Sequence, residues 1–195
     1  MKPQTFIFIG RSGCGKGTQA ELLKKFLAGK TPEIQTYHLE SGAKFREFIA
    51  SPGQVSDLSR KTYIRGDLQP EFLAIWAWSE LMIENVSDDK HLLIDGLPRK
   101  LHEAHVFDGA IKFLEREKPH FVFLNVSRKW AEERLLARHR SDDDIKNITI
   151  RLDWYEKDVL PAIEFFRNNP RYNFAEVNGE QAIEKVAEDV IKKVF

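Results

Sequence analysis

The chain is predicted to be an α/β protein of the P-loop three-layer type, a five-stranded parallel sheet flanked by helices. Three observations predict it. Short apolar runs alternate with longer amphipathic segments from end to end, the pattern of strands joined by helical crossovers. Three of the runs are nearly continuous in apolar residues, as in strands covered on both faces. The first run opens into the glycine-rich segment Gly10-Arg-Ser-Gly-Cys-Gly-Lys-Gly-Thr18, and a helix begins near Lys16.

The five strands are predicted at Thr5–Ile9, Gln35–Leu39, His91–Ile94, Phe121–Val126 and Phe174–Val177. Between them lie helical patterns. Thr18–Leu27 carries Leu22, Leu23, Phe26 and Leu27 on one face. A helix after Ser41 holds Arg46 and takes Ser41 as its cap, and Pro52 and Gly53 punctuate this helical insertion. Glu71–Asn85 is rich in Phe72, Ile75, Trp76, Trp78 and Leu81, read as core, as are Trp130 and Trp154. Arg128–Arg138, Asp143–Phe166 and Glu180–Val194 follow, with Pro161 expected to kink or interrupt the second of these. No linker or repeat divides the 195 residues, so a single domain is expected.

Bulk properties narrow the function. Thirty basic residues balance thirty acidic ones, which leaves no broad positive field for nucleic acid. No apolar stretch approaches a membrane span. The first strand follows Met1-Lys2-Pro3-Gln4 directly, without room for a signal peptide. Cys14 is the single cysteine, so neither a disulfide nor a cysteine zinc site is expected. The six histidines show no ligand spacing. A cytoplasmic setting follows.

Gly10, Gly15 and Lys16 satisfy Gly-x4-Gly-Lys, with Gly17 next and the hydroxyl postponed to Thr18. Backbone N–H groups of such a turn cradle phosphate oxygens, the helix N-terminus adds partial positive charge, and the lysine bridges terminal phosphates. Asp95-Gly96-Leu97-Pro98-Arg99 lies past the third strand. An acid there is placed to hold magnesium through water, and Arg99 can grip a phosphate bidentately; alone, the segment also reads as an ordinary Asp-Gly turn. Arg134, Arg138, Arg140 and Arg151 cluster near Asp142–Asp144. They read either as a surface ion-pair network or as the positive groups that phosphoryl transfer requires.

In this order the motifs resemble those of the adenylate kinase family of nucleoside monophosphate kinases, over essentially the whole chain. Gly10–Gln19 matches its loop with the Gly17-Thr18-Gln19 ending. Gly66-Asp67-Leu68-Gln69-Pro70 matches its Gly-x-Leu-x-Pro segment, and Asp95–Arg99 its Asp-Gly-Phe-Pro-Arg with leucine for phenylalanine. Arg134-Leu-Leu-Ala-Arg138, Asp142-Asp143 and Arg151-Leu152 match its lid region. The resemblance implies transfer of the γ-phosphate of ATP to a nucleoside monophosphate, with AMP favoured, Mg2+ as cofactor and no zinc. It implies a monomer with a helical monophosphate-binding part at about residues 40–70 and a minimal lid at about 138–143. Lys16 and the backbone of Gly13, Cys14, Gly15, Gly17 and Thr18 would hold the donor phosphates, and Arg134 would stack on the donor adenine. Asp95 would organise magnesium through water. Ser41, Gly42, Arg46, Gly66, Leu68, Gly96, Arg99 and Glu103 would line the acceptor site. Arg138, Arg140 and Arg151 would close on the migrating phosphate.

Two positions depart from the family pattern. Only His139, Arg140 and Ser141 separate Arg138 from Asp142, so the lid is shorter than in the family's short-lid members; either water is excluded less well and ATP hydrolysis without acceptor rises, or three residues suffice to reach over the phosphates. Glu103 stands where adenylate kinases carry glutamine. An ionised carboxylate offers only acceptors, which suits guanine's two donors, or one amine of adenine or cytosine; alternatively Glu103 is a solvated helix residue. CMP, UMP and GMP kinases stay open, as do a kinase for an unphosphorylated small molecule and a nucleotide-binding protein without turnover. Cys14, beside Lys16 and a helix N-terminus, is either a thiol of lowered pKa that senses oxidation or a small loop residue.

Overall fold

The computed structural model describes residues 2–138, without the Arg138 side chain, and residues 145–195. The elements run β1 (Thr5–Gly10), α1 (Lys16–Lys30), β2 (Thr36–Glu40), α2 (Ser41–Ala50), α3 (Gln54–Ile64), α4 (Glu71–Asn85), β3 (His91–Asp95), α5 (Leu101–Phe113), β4 (His120–Asn125), α6 (Arg128–Arg138), α7 (Ile145–Trp154), a π-helical turn (Tyr155–Val159), α8 (Leu160–Arg167), β5 (Asn173–Asn178) and α9 (Ile183–Val194). The five strands form one parallel sheet in the order β2-β3-β1-β4-β5.

Burial follows that order. The central β1 is buried along its whole length, while the edge strands β2 and β5 alternate or are half-exposed. The side-chain period of two then splits the core into two layers. Phe6, Phe8, Leu93, Val122, Leu124 and Val177 face one way and pack with α1 and α9 through Leu23, Leu27, Val186 and Val190. Ile7, Ile9, Leu92, Ile94, Phe121 and Phe123 face the other way, against Trp78, Phe107, Ile163 and Phe166 of α4, α5 and α8. Trp78 is core as expected, whereas Trp130 and Trp154 are half-buried at its margins and half-buried Trp76 packs on Phe48 of α2 instead.

The structure corrects the sequence reading at several elements. Helix α5 does not appear among the expected helices. Its inward residues Ala104, Phe107 and Ile111 recur at helical spacing, but Leu101, Val106 and Phe113 are apolar and exposed, so the apolar residues do not mark one face. Ser41 is the first residue of α2 rather than its cap; Glu40 holds that position, without a side-chain capping bond. The interruption expected at Pro161 in the helical stretch Asp143–Phe166 is, by contrast, present, as a π-helical turn just before the proline. Proline supplies no N–H to the carbonyl four residues back, and the preceding turn widens, with the Leu160 N–H donating to the Tyr155 carbonyl. The expected lid, including Arg140, lies outside the described residues. No helix of the described residues is long and apolar enough to cross a membrane.

Candidate active site

The site forms at the carboxyl ends of β1, β3 and β2, where the strand order reverses on either side of β1, the usual crevice of a parallel α/β sheet. β1 delivers the chain to the loop at Gly10, and α1 starts at Lys16. Gly13 has φ +85°, and a Cβ there would lie 2.9 Å from both the Ala131 carbonyl oxygen and Leu135 Cγ. Only glycine allows this loop both its turn and its close seat on α6. Lys16 Nζ donates to the carbonyls of Gly10 (2.9 Å) and Arg11 (3.0 Å), which holds the ammonium over the loop. Arg11 was not singled out in the sequence. It ties the loop to the π turn: Nε donates to the Val126 carbonyl, the guanidinium lies 4.2 Å from the centre of the Tyr155 ring, and Nη1 pairs with Glu156.

Cys14 is buried in this loop. Lys16 beside its sulfur favours the thiolate, but burial dominates and pushes the thiol above its ordinary range. The expectation of a lowered pKa therefore fails, and the small loop residue is the reading that stands. Desolvation outweighs a single cation where the whole side chain is inside.

Asp95 ends β3, with the start of α1 directly above it: a Cβ on Gly17 would lie 3.5 Å from Asp95 Oδ2. Its Oδ1 is buried without a hydrogen-bond partner among the described residues. Burial raises the carboxyl's pKa, and Lys16 and His38 oppose that rise. An orphaned buried carboxylate oxygen beside a phosphate loop fits a hydrated divalent cation.

Gly96 joins the two halves of the site. With φ +77°, it turns the chain so that its Cβ position lies 3.6 Å from Arg99 Nη2 and 3.9 Å from Lys16 Cε. Arg99 is anchored through Nε to the Gly96 carbonyl (2.8 Å), and its guanidinium lies 5.8 Å from the centre of the Trp154 ring. Burial lowers its pKa, against the pull of Glu103 and Asp95, so a desolvated cation stands ready for an anion. Arg151 of α7 is only 9% exposed and donates through Nε to the Asn147 carbonyl. It is thus no part of a solvated surface network.

A cleft opens beside Arg99, lined by Ser41, Leu68, Trp78, Gly96 and Glu103 among others. Five of the residues expected on the acceptor side, Ser41, Leu68, Gly96, Arg99 and Glu103, therefore meet in one place. Gly42 and Arg46 lie at its margin on α2, with Arg46 exposed and its Nη1 3.5 Å from the Cβ position of Gly42. Gly66 lies outside the cleft lining. It packs on Asn147 of α7, and its carbonyl accepts from Trp154 Nε1 (3.1 Å). Arg134 stacks its guanidinium 4.5 Å from the centre of the Trp130 ring.

Glu103 is 3% exposed, so its reading as a solvated residue is overturned. It is the third residue of α5, and its Oε2 accepts the backbone N–H of Arg99, the residue before the helix N-cap Lys100, at 2.8 Å. Burial raises its pKa, and the N–H groups of Arg99 and Lys100 and the Trp78 indole beside it pull the other way. This carboxylate holds the base of α5 and the Arg99 backbone together, a role that its position in the sequence did not disclose.

Comparison with known proteins agrees with this geometry. The family model described as Adenylate kinase matches residues 8–171. The adenylate kinase of Oenococcus oeni is 24% identical over 92% of this chain and 93% of its own length. UMP-CMP kinase 1 of Oryza sativa subsp. japonica is 30% identical over 100% of this chain and 75% of its own. Human adenylate kinase isoenzyme 5 is 32% identical over 95% of this chain, which spans 31% of that longer protein. With a phosphate loop, an acid at the neighbouring strand end and a buried arginine cleft set around one crevice, the chain belongs to the adenylate kinase family of nucleoside monophosphate kinases.

Proposed function

We propose that the protein transfers the γ-phosphoryl group of ATP to AMP, giving two ADP, with Mg2+. The observation that carries this reading is the junction at Gly96, where Cε of the donor-side Lys16 and Nη2 of the acceptor-side Arg99 both lie within 4 Å of the position a Cβ would take. Two phosphate-binding cations so close suit in-line transfer between two bound phosphates, chemistry that rests on positioning and charge rather than on a covalent nucleophile. Asp95 would hold magnesium through water, and the bound ion would neutralise charge on the transferring phosphate. Lys16 and the loop N–H groups orient the donor, Arg99 and Arg46 orient the acceptor phosphate, and Arg151 adds positive charge between them. Arg138 and Arg140 would complete that ring of charge, and Arg134 would leave Trp130 to stack on the donor adenine.

Glu103 bears on the acceptor base. With Oε2 engaged by the Arg99 N–H, it is poorly suited to grip both donors of guanine. The remaining acceptor capacity suits a single exocyclic amine, which adenine and cytosine carry. CMP is accordingly the second reading. Steady-state ADP production with AMP, CMP, UMP and GMP at equal concentration tests the proposal. AMP is expected to be fastest, and CMP or GMP outpacing it tenfold would overturn the choice. The protein is further proposed to act as a cytoplasmic monomer, for which sedimentation at the mass of one chain is the check on oligomeric state.

A further inference from the structure

His38, Glu40 and Asp95 each direct a ligand atom into one space beneath α1, all within 4.8 Å of one another. Strand geometry makes the cluster. His38 and Glu40 are two apart on β2 and share a face, and the parallel register sets Glu40 opposite Asp95 on β3. The His38 side chain is 8% exposed, and its Nε2 is buried with no hydrogen-bond partner among the described residues, as is Asp95 Oδ1. The other imidazole nitrogen, Nδ1, is bonded to Glu21 Oε1 of α1 at 3.2 Å. A carboxylate on Nδ1 fixes the tautomer and leaves Nε2 with a free lone pair, the arrangement found behind metal-ligating histidines.

We infer that His38, Glu40 and Asp95 form a direct binding site for one first-row transition-metal dication, oriented by Glu21 and available without nucleotide. The imidazole separates this site from the water-mediated magnesium position of the phosphotransfer reaction. Magnesium prefers oxygen and keeps its waters, whereas one nitrogen with two carboxylates suits Mn2+, Co2+ or Zn2+. Two ligands facing each other across an ion about 2.1 Å from each stand about 4.2 Å apart, so small side-chain rotations close the set. Glu40 is exposed, which leaves an entry path from solvent. The inference does not depend on the identity of the phosphate acceptor.

The test is an Mn2+ titration of the nucleotide-free protein followed by electron paramagnetic resonance, with spin-echo detection of a coupled 14N nucleus. One ion per chain and a nitrogen coupling are expected. His38→Gln should abolish the coupling, His38→Gln and Glu40→Gln should each weaken binding at least tenfold, and Glu21→Ala should weaken it roughly 10- to 100-fold with every ligand still present. Circular dichroism melts establish that each variant is folded; a variant that is not is replaced by its alternative, His38→Ala or Glu40→Ala. No binding at millimolar Mn2+, binding without nitrogen coupling, or binding lost only in Asp95→Asn would overturn the site.

Discussion

The donor loop and the acceptor cleft are made of the same chemistry, cations and backbone N–H groups aimed at phosphate, yet they are assembled in opposite ways. The donor loop is local. Nine consecutive residues, Gly10 to Thr18, supply the turn, the N–H groups and the lysine, and long-range packing on α6 and the Arg11 tie to the π turn only hold it in place. The cleft is global. Ser41, Leu68, Trp78, Arg99 and Glu103 come from four separate stretches of chain, and the Arg99 backbone is held by the carboxylate of Glu103. Damage to the loop should therefore remove chemistry at one blow, whereas damage to the cleft should divide between affinity, specificity and stability.

The largest effect is expected from Lys16→Met. It should reduce turnover by about a thousandfold or more while leaving the fold intact, because it removes a preorganised charge from the transferring phosphate. Coupled ADP production with a parallel thermal melt checks both halves of the statement. Next comes Arg99→Ala, expected to lower kcat/KM by about 100-fold with a pronounced rise in the KM for the monophosphate, since Arg99 faces the cleft side of Gly96. An unchanged monophosphate KM would break the division between donor and acceptor halves.

Gly13→Ala probes how far the loop depends on its seat on α6. The positive φ and the 2.9 Å approach to the Ala131 carbonyl predict a loss of about 1–3 kcal/mol, which for a chain of this size lowers Tm by about 2–12 °C, together with weaker ATP binding. Calorimetry and ATP titration read the two effects. The smallest effect is expected from Glu103→Gln. The amide oxygen can still accept the Arg99 N–H, so the cleft should survive. Burial raises the Glu103 carboxyl above its ordinary 4.5 in the folded state, so the native chain holds that proton more tightly than the unfolded chain does. The contribution of Glu103 to stability accordingly falls as pH rises from about 4.5 through the folded value. Relative to the unmodified protein, Glu103→Gln should be more stable at pH 7 than at pH 4. Melting both at the two pH values measures this, and a gap that narrows as pH rises contradicts it.

The legibility of the two regions differs for the same reason. β1, β3 and β4 were readable because strands buried on both faces must be apolar throughout, and α5 was not, because exposed Leu101, Val106 and Phe113 blur its inward face. Asp95 and Arg99 were readable from their turn. The work of Glu103 was not, since a carboxylate at that position looks the same whether it meets a nucleobase, water or a backbone N–H. The histidines offered no ligand spacing along the chain because the third member of their cluster lies on a neighbouring strand, and only the pairing of β2 with β3 brings Glu40 beside Asp95.

What the sequence determined by itself was the phosphate loop, the parallel sheet and the order of the motifs. These rest on short-range constraints: glycine at positive φ, side-chain period, and the need to bury apolar runs. What only the tertiary structure decided was which titratable groups share a space. Desolvation pushed the Cys14 thiol's pKa up rather than down, the Arg99 N–H claimed one oxygen of Glu103, and strand register gathered His38, Glu40 and Asp95. Each of these outcomes depends on distance and burial between residues far apart in the chain, and neither quantity is written in residue order.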